Sequence, residues 1–207
     1  MKGKIKMKDI NNSKMIEQLE RLFNRLNKDL FNNELPLPII TIQSRGKRQG
    51  VLGWFTTRKI WENGNGGRYE INIVAESLNR PYIEIAETML HEMCHLYNKE
   101  HDIQDCSRGG TYHNNNFKKT AEEHMLIVEK SAKYGHAHTK PSEDFEKLFS
   151  KYYQYEFSFR LTQEKEKKTK SKQSYRHICE HCGNIARTTK IIKLICGECN
   201  KPMMIEE

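Results

Sequence analysis

Thr88-Met-Leu-His-Glu-Met-Cys-His-Leu-Tyr97 decides how the rest of this chain is read. Within it, His91-Glu-Met-Cys-His95 fits the pattern H-E-x-x-H. Residues four apart on a helix lie about 40° apart around its axis, so His91 and His95 share a face and can aim both imidazoles at one cation. Glu92 falls on the neighbouring face, outside that ligand pair but within reach of a water at the cation, where a carboxylate serves as general base. Tyr82, Ile85, Ala86, Met89, Met93 and Leu96 recur at helical spacing around the motif, which predicts a core-facing helix. Two histidines and a glutamate are costly to bury there unless they serve a function. The stretch therefore points to hydrolytic metal chemistry, with zinc as the ion.

A chain of 207 residues suffices for one ordinary domain and a small module. Met1-Lys-Gly-Lys-Ile-Lys-Met-Lys-Asp9 is basic, but no apolar run follows it and no stretch approaches bilayer-crossing length. A cytoplasmic protein with no membrane partner is expected. Four of the six cysteines fall in two C-x-x-C pairs, which favours metal over disulfides and a reducing compartment. The net charge of +8 and pI ≈ 9.1 suit an anionic partner. Much of that excess is local: Arg160, Lys165, Lys167, Lys168, Lys170, Lys172 and Arg176 are opposed only by Glu164 and Glu166.

Around the motif, Met15, Leu19, Leu22, Phe23, Leu26 and Leu30 predict an amphipathic first helix after Ser13, stopped by Asn32-Asn33 and Pro36. Residues 38–43, 51–60 and 69–75 predict three antiparallel strands, the last two bracketing the turn Asn63-Gly-Asn-Gly-Gly67. Residues 69–75 should lie near the motif helix, with an edge that an extended chain can pair with or an ordinary place in the core. A polar loop then runs from His101 to Tyr112. Phe117, Ala121, Met125 and Val128 predict one more amphipathic helix, and Phe145, Leu148, Phe149, Tyr152 and Tyr153 a short one. Tyr153, Tyr155, Phe157, Phe159 and Leu161 alternate as in a half-buried strand, and residues 163–174 form a lysine-rich linker.

Cys179-Glu-His-Cys182 and Cys196-Gly-Glu-Cys199 make C-x2-C-x13-C-x2-C. Four thiolates close a tetrahedron around zinc with no free position, so this second site is structural. A segment this small cannot bury a core of its own and draws its folding energy from the metal. His177 and His181 stand nearby, but four cysteines already complete the set. The catalytic ion needs a third protein ligand and an open position. From the residues alone His101, His113, His124 and a carboxylate all remain open; His101 nearly fits the longer metzincin pattern, with Asn98 where glycine is usual. Cys94 lies between the ligands in sequence but off their face, and suits the core.

Taken together, Gly53-Trp54, Ala75-Glu76, Leu90-His-Glu-Met-Cys-His-Leu-Tyr97 and Gly110-Thr-Tyr-His-Asn-Asn-Asn-Phe117 resemble the SprT-like family, related to the Spartan proteases. The resemblance spans about residues 14–135 and extends to a C-terminal zinc ribbon. It implies that the third zinc histidine opens a His-x-x-x-aromatic segment, which His113 and Phe117 match; Asn114 stands where Spartan relatives have glycine. It also implies a protein substrate, including protein bound or crosslinked to DNA. The expectation is an α+β chain: a small antiparallel sheet packed with helices carrying H-E-x-x-H over residues 1–135, a connecting segment with a basic linker over 136–173, and a C4 zinc ribbon over 174–207. The expected activity is zinc metallopeptidase, with Glu92 catalytic. One catalytic zinc is held by His91, His95 and His113, and one structural zinc by Cys179, Cys182, Cys196 and Cys199. DNA is the expected polyanion, met by the basic arm and ribbon. The competing expectation is a non-catalytic nucleic-acid-binding protein in which both zinc sites are structural.

Overall fold

Leu19, Leu22, Phe23 and Leu26 fall at three- and four-residue steps on helix α1 (Asn12–Leu30) and are at most 1% exposed. Asn32 and Asn33, at φ 52° and 61°, take the chain out of the helix through left-handed backbone that asparagine tolerates. The buried Asn27 amide then clamps the exit: its Nδ2 donates to the Leu35 carbonyl at 3.0 Å and its Oδ1 accepts from the Leu35 amide at 3.2 Å. The computed structural model describes residues 12–48, 50–62, 64, 66–152 and 174–206, in two compact units that part between residues 162 and 163. The expected aromatic strand at Tyr153–Leu161 and the lysine-rich arm through residue 173 lie outside the described residues.

In the first unit, β1 (Ile39–Gln43), β2 (Gly53–Phe55), the small hairpin β3 (Trp61–Glu62) and β4 (Gly67–Arg68), and β5 (Glu70–Val74) follow α1. The main sheet has the order β1-β5-β2. β1 runs parallel to β5 and only β2 is antiparallel to it, so the expected all-antiparallel trio is a mixed sheet. Side-chain alternation marks a strand and its faces but not its direction, and here both earlier strands flank the same later one. β5 is the central strand and is buried along its whole length, which leaves no edge for a substrate. The edge beside the motif helix belongs to β2.

A 3-10 turn at Ala75–Ser77 leads to α2 (Tyr82–Glu100), whose inner side chains Ile85, Ala86, Met89, Leu90, Met93, Cys94 and Leu96 have no exposed surface. Cys94 is a core residue. Next come β6 (Cys106–Ser107), β7 (Tyr112–His113), α3 (Asn115–Glu123), β8 (Leu126–Ser131), β9 (Gly135–Pro141) and α4 (Glu143–Tyr152). The expected helix through Val128 ends at Glu123: Met125 has φ 65°, and Leu126-Ile-Val128 opens a hairpin in a second sheet, β6-β7-β9-β8. The helical spacing of Phe117, Ala121, Met125 and Val128 is continued by a strand rather than by another turn. Phe117 and Phe145, both fully buried, tie α3 and α4 into the core shared with α1, α2 and β5.

The second unit is a four-stranded sheet of β10 (Tyr175–Ile178), β11 (Ile185–Thr188), β12 (Leu194–Ile195) and β13 (Pro202–Glu206), ordered β11-β10-β13-β12. The isoleucine-rich run at 191–195 supplies only its last two residues to a strand. With a mixed sheet and four helices among the described residues, the protein is of α+β class. Among the described residues no helix is long and apolar enough to cross a membrane.

Candidate metal centre

α2 sets His91 and His95 one turn apart, and β7 delivers His113 opposite them. The His113 Nε2 stands 3.2 Å from the His91 Nε2 and 3.0 Å from the His95 Nε2. Nitrogens bonded at about 2.0–2.1 Å to one tetrahedral zinc stand about 3.3 Å apart, so this triad has the span such an ion needs. Phe117 forms the wall behind it, with its ring centroid 4.6 Å from each of the three imidazoles.

The backbone explains how His113 arrives. Its amide donates to the Tyr134 carbonyl at 3.1 Å, and it pairs with Cys106 on one side and Gly135 on the other. Gly135 has φ +66°, and a Cβ there would run into the His113 carbonyl, so only glycine lets the β8–β9 turn close on β7. Asn114 fastens the other flank. Its side chain caps α3 by accepting from the Asn116 and Phe117 amides at 2.7 and 3.3 Å, while its Nδ2 donates to the Gln104 carbonyl at 2.8 Å. The departure from glycine at this position thus comes with a cap and a loop clamp.

The outer nitrogens decide which way the lone pairs point. His95 Nδ1 lies 2.6 Å from Asp105 Oδ2, which also accepts from Asn98 Nδ2 at 3.1 Å; the Thr120 hydroxyl in turn donates to Asn98 Oδ1 at 2.6 Å. His91 Nδ1 lies 3.0 Å from the Thr139 oxygen, whose hydroxyl proton is committed to Glu87. The acceptors at His91 and His95 fix the proton on Nδ1 of these two and leave their Nε2 atoms free to bind a cation. Burial drives His91 well below the usual imidazole range and His113 down to about 3, so both favour the neutral ligand form. For His95 burial acts downward too, but the Asp105 hydrogen bond, with Cys106 and the carboxylate charges, outweighs it and lifts the group to about 10. Replacing Thr139 with valine keeps the shape and removes the acceptor for His91. Zinc affinity, measured by chelator competition, is expected to fall by about 10- to 100-fold, with Thr139→Ser close to the parent.

Glu92 sits beside the triad, only 6% exposed, and burial raises it to about 7 against the opposing charge of His95. β2 passes so close over it that a Cβ on Gly53 would stand 2.9 Å from the Asn72 carbonyl, 3.1 Å from Thr88 Cγ2 and 3.2 Å from Glu92 Oε1. Gly53→Ala is therefore expected to destabilise the fold by about 1–3 kcal/mol, readable as a lower denaturation midpoint, because backbone and not a flexible chain end stands in the way. A cleft of ≈ 1130 Å³ opens over the triad, lined among others by Arg48, Trp54, Phe55, Tyr134 and His138.

A family model for the SprT-like family matches residues 19–141, more than half of the chain. The chain belongs to the SprT-like family. No curated protein and no solved structure gave a match. Of the histidines that suit the third position, the SprT-like unit brings only His113 to the pair. His101 caps the end of α2, its Nδ1 2.8 Å from the Tyr97 carbonyl and its ring stacked on Tyr97. His124 bonds the Thr120 carbonyl at 2.7 Å and stacks on Phe31. Asp105, Glu87 and Thr139 belong to the site's architecture and escape a reading of the sequence; a carboxylate one residue before Cys106 in a polar loop is the only signal, and Thr139 gives none.

In the second unit the ligand atoms of Cys179, Cys182, Cys196 and Cys199 all lie within 4.8 Å of one another, and none forms a disulfide. The two knuckles repeat one backbone pattern. The Gly183 amide donates to the Cys179 carbonyl and Cys179 to Asn184; the Asn200 amide donates to the Cys196 carbonyl and Cys196 to Lys201, all at 2.7–2.9 Å. Cys182 and Cys196 Sγ are 3.5 Å apart, near the roughly 3.8 Å edge of a zinc-thiolate tetrahedron. The backbone amides of Cys199 and Glu198 pull the Cys196 thiol down to about 6, which favours the thiolate that metals bind. This four-cysteine cluster is compatible with a zinc ribbon. His181 lies outside it, and buried His177 bonds the Thr188 hydroxyl at 2.9 Å instead.

Proposed function

We propose that the SprT-like unit is a zinc-dependent peptidase acting on protein substrates. The observation that carries this is the convergence of the His91, His95 and His113 Nε2 atoms beside the buried carboxylate of Glu92. A zinc ion held by the three imidazoles supplies a Lewis acid that polarises a carbonyl and acidifies water. The chain's own residues do the rest. Glu92, packed beneath β2 at Gly53, accepts the proton of the attacking water and returns it to the leaving amine. Val74 donates to the Leu52 carbonyl and Thr56 to the Glu70 carbonyl, so Gly53 and Phe55 turn their backbone groups away from β5, and β2's outer edge offers an extended polypeptide a place beside Glu92.

The competing reading, a nucleic-acid-binding protein with two structural zincs, leaves the buried Glu92 carboxylate without a role, since a closed site has no water to deprotonate. The four ribbon cysteines hold the second, structural zinc, and six unpaired thiols suit the reducing cytoplasm. DNA-associated or DNA-crosslinked proteins are the substrate class that the resemblance favours, with the basic run from Arg160 to Arg176 meeting phosphates. The test is digestion of an unfolded protein by the zinc-loaded chain, with and without single-stranded DNA. Cleavage that needs zinc is expected; no cleavage under either condition overturns the peptidase. A chain ending at Leu161 that binds DNA as tightly as the full chain across a salt titration overturns the role of the arm.

A further inference from the structure

The ribbon sheet turns an apolar row toward solvent. Register places Ile178 directly opposite Ile185 on β11 and Met204 on β13, so the three side chains share one face. Pro202, two residues before Met204, lies on the same face and opposes Ile195 on β12. Ile185, Met204 and Ile195 are 53, 55 and 69% exposed. The opposite face carries fully buried His177, opposed by Ala186 and Ile205. Scattered exposed aliphatics are ordinary, but a row crossing all four strands of so small a unit is the pattern of an interface.

The rim says what fits. In the next row of the same face, Arg176 opposes both Arg187 and Glu206, and its guanidinium is paired with the Glu206 carboxylate. Arg187 is exposed and has no ion-pair partner among the described residues. An apolar centre bordered by the unpaired Arg187 complements a protein surface of aliphatic side chains bordered by carboxylates. A nucleic acid is the poorer match: bases need aromatic planes, the row offers none, and Tyr175 falls on the other face.

We propose that this face of the ribbon sheet docks a partner protein through an acidic, aliphatic segment, independently of the catalytic cleft. The test uses the full zinc-loaded chain and two fluorescent peptides of equal length, one alternating leucine with glutamate and one alternating leucine with lysine. The Leu/Glu peptide is expected to bind saturably and about tenfold or more tighter than the Leu/Lys peptide, and Ile185→Ser with Met204→Ser to weaken it about tenfold at unchanged zinc content. Arg187→Glu should narrow the preference between the peptides. Equal binding of both peptides, unchanged binding by the double variant, or displacement of the Leu/Glu peptide by oligothymidylate overturns the proposal. So does a dimer of the parent chain that the double variant abolishes, since the face would then belong to a second copy.

Discussion

Glu92→Gln is expected to lower peptide hydrolysis by about 10²- to 10⁴-fold while leaving fold and zinc content intact, as measured by cleavage of an unfolded protein beside metal analysis of the same sample. The two side chains are nearly isosteric, and the fit is tight: a Cβ on Gly53 of β2 would stand 3.2 Å from Glu92 Oε1. An amide of the same size leaves that packing, and so the strand, in place. What the amide cannot do is take a proton from water. Nor is Glu92 among the groups that converge on one point, which are the three imidazoles, so its loss should not empty the site. Activity within a few-fold of the parent would remove Glu92 from the mechanism and leave the buried carboxylate unexplained.

How much of this is visible in the sequence depends on how local each feature is. α1 and α2 are set by one-sided apolar spacing, and both form where that spacing places them, with Asn32 and Asn33 ending the first. The pairing of His91 with His95 is local too, since one helical turn settles it. β1, β2 and β5 are legible as strands, but their directions rest on partners about 20 to 30 residues away, and the central place of β5 follows only once both flanks are known. The start of the β8–β9 hairpin reads as helix because Met125 and Val128 fall at helical intervals from Phe117, and nothing nearby announces the left-handed turn at Met125. That hairpin supplies Thr139, 48 residues from the histidine it orients, and Gly135, which lets β7 present His113. His113 itself comes from a family resemblance; spacing leaves it one of several. The features that shape the site most are thus those with the largest separation along the chain, where periodicity carries no information.

His113→Ala is expected to reduce bound zinc from about two ions per chain to about one and to abolish hydrolysis, with His101→Ala retaining both. The two histidines are well matched as a test, because each follows α2 in a polar segment and each suits a third ligand by spacing. Their surroundings differ. His113 Nε2 lies 3.0–3.2 Å from both α2 imidazoles, whereas His101 spends its Nδ1 on the Tyr97 carbonyl and its ring on Tyr97. Removing one of three ligands leaves His91 and His95 as a bidentate pair whose affinity should not withstand a chelator that the parent resists. Cys179→Ser supplies the complementary loss: the ribbon zinc should leave while the first site and its hydrolysis persist, since the cysteine cluster and the histidine triad share no residue. Inductively coupled plasma measurement after chelator challenge separates the cases. Full occupancy in His113→Ala together with loss in His101→Ala would move the third ligand to the end of α2 and require the β6–β7 segment to swing away from the site.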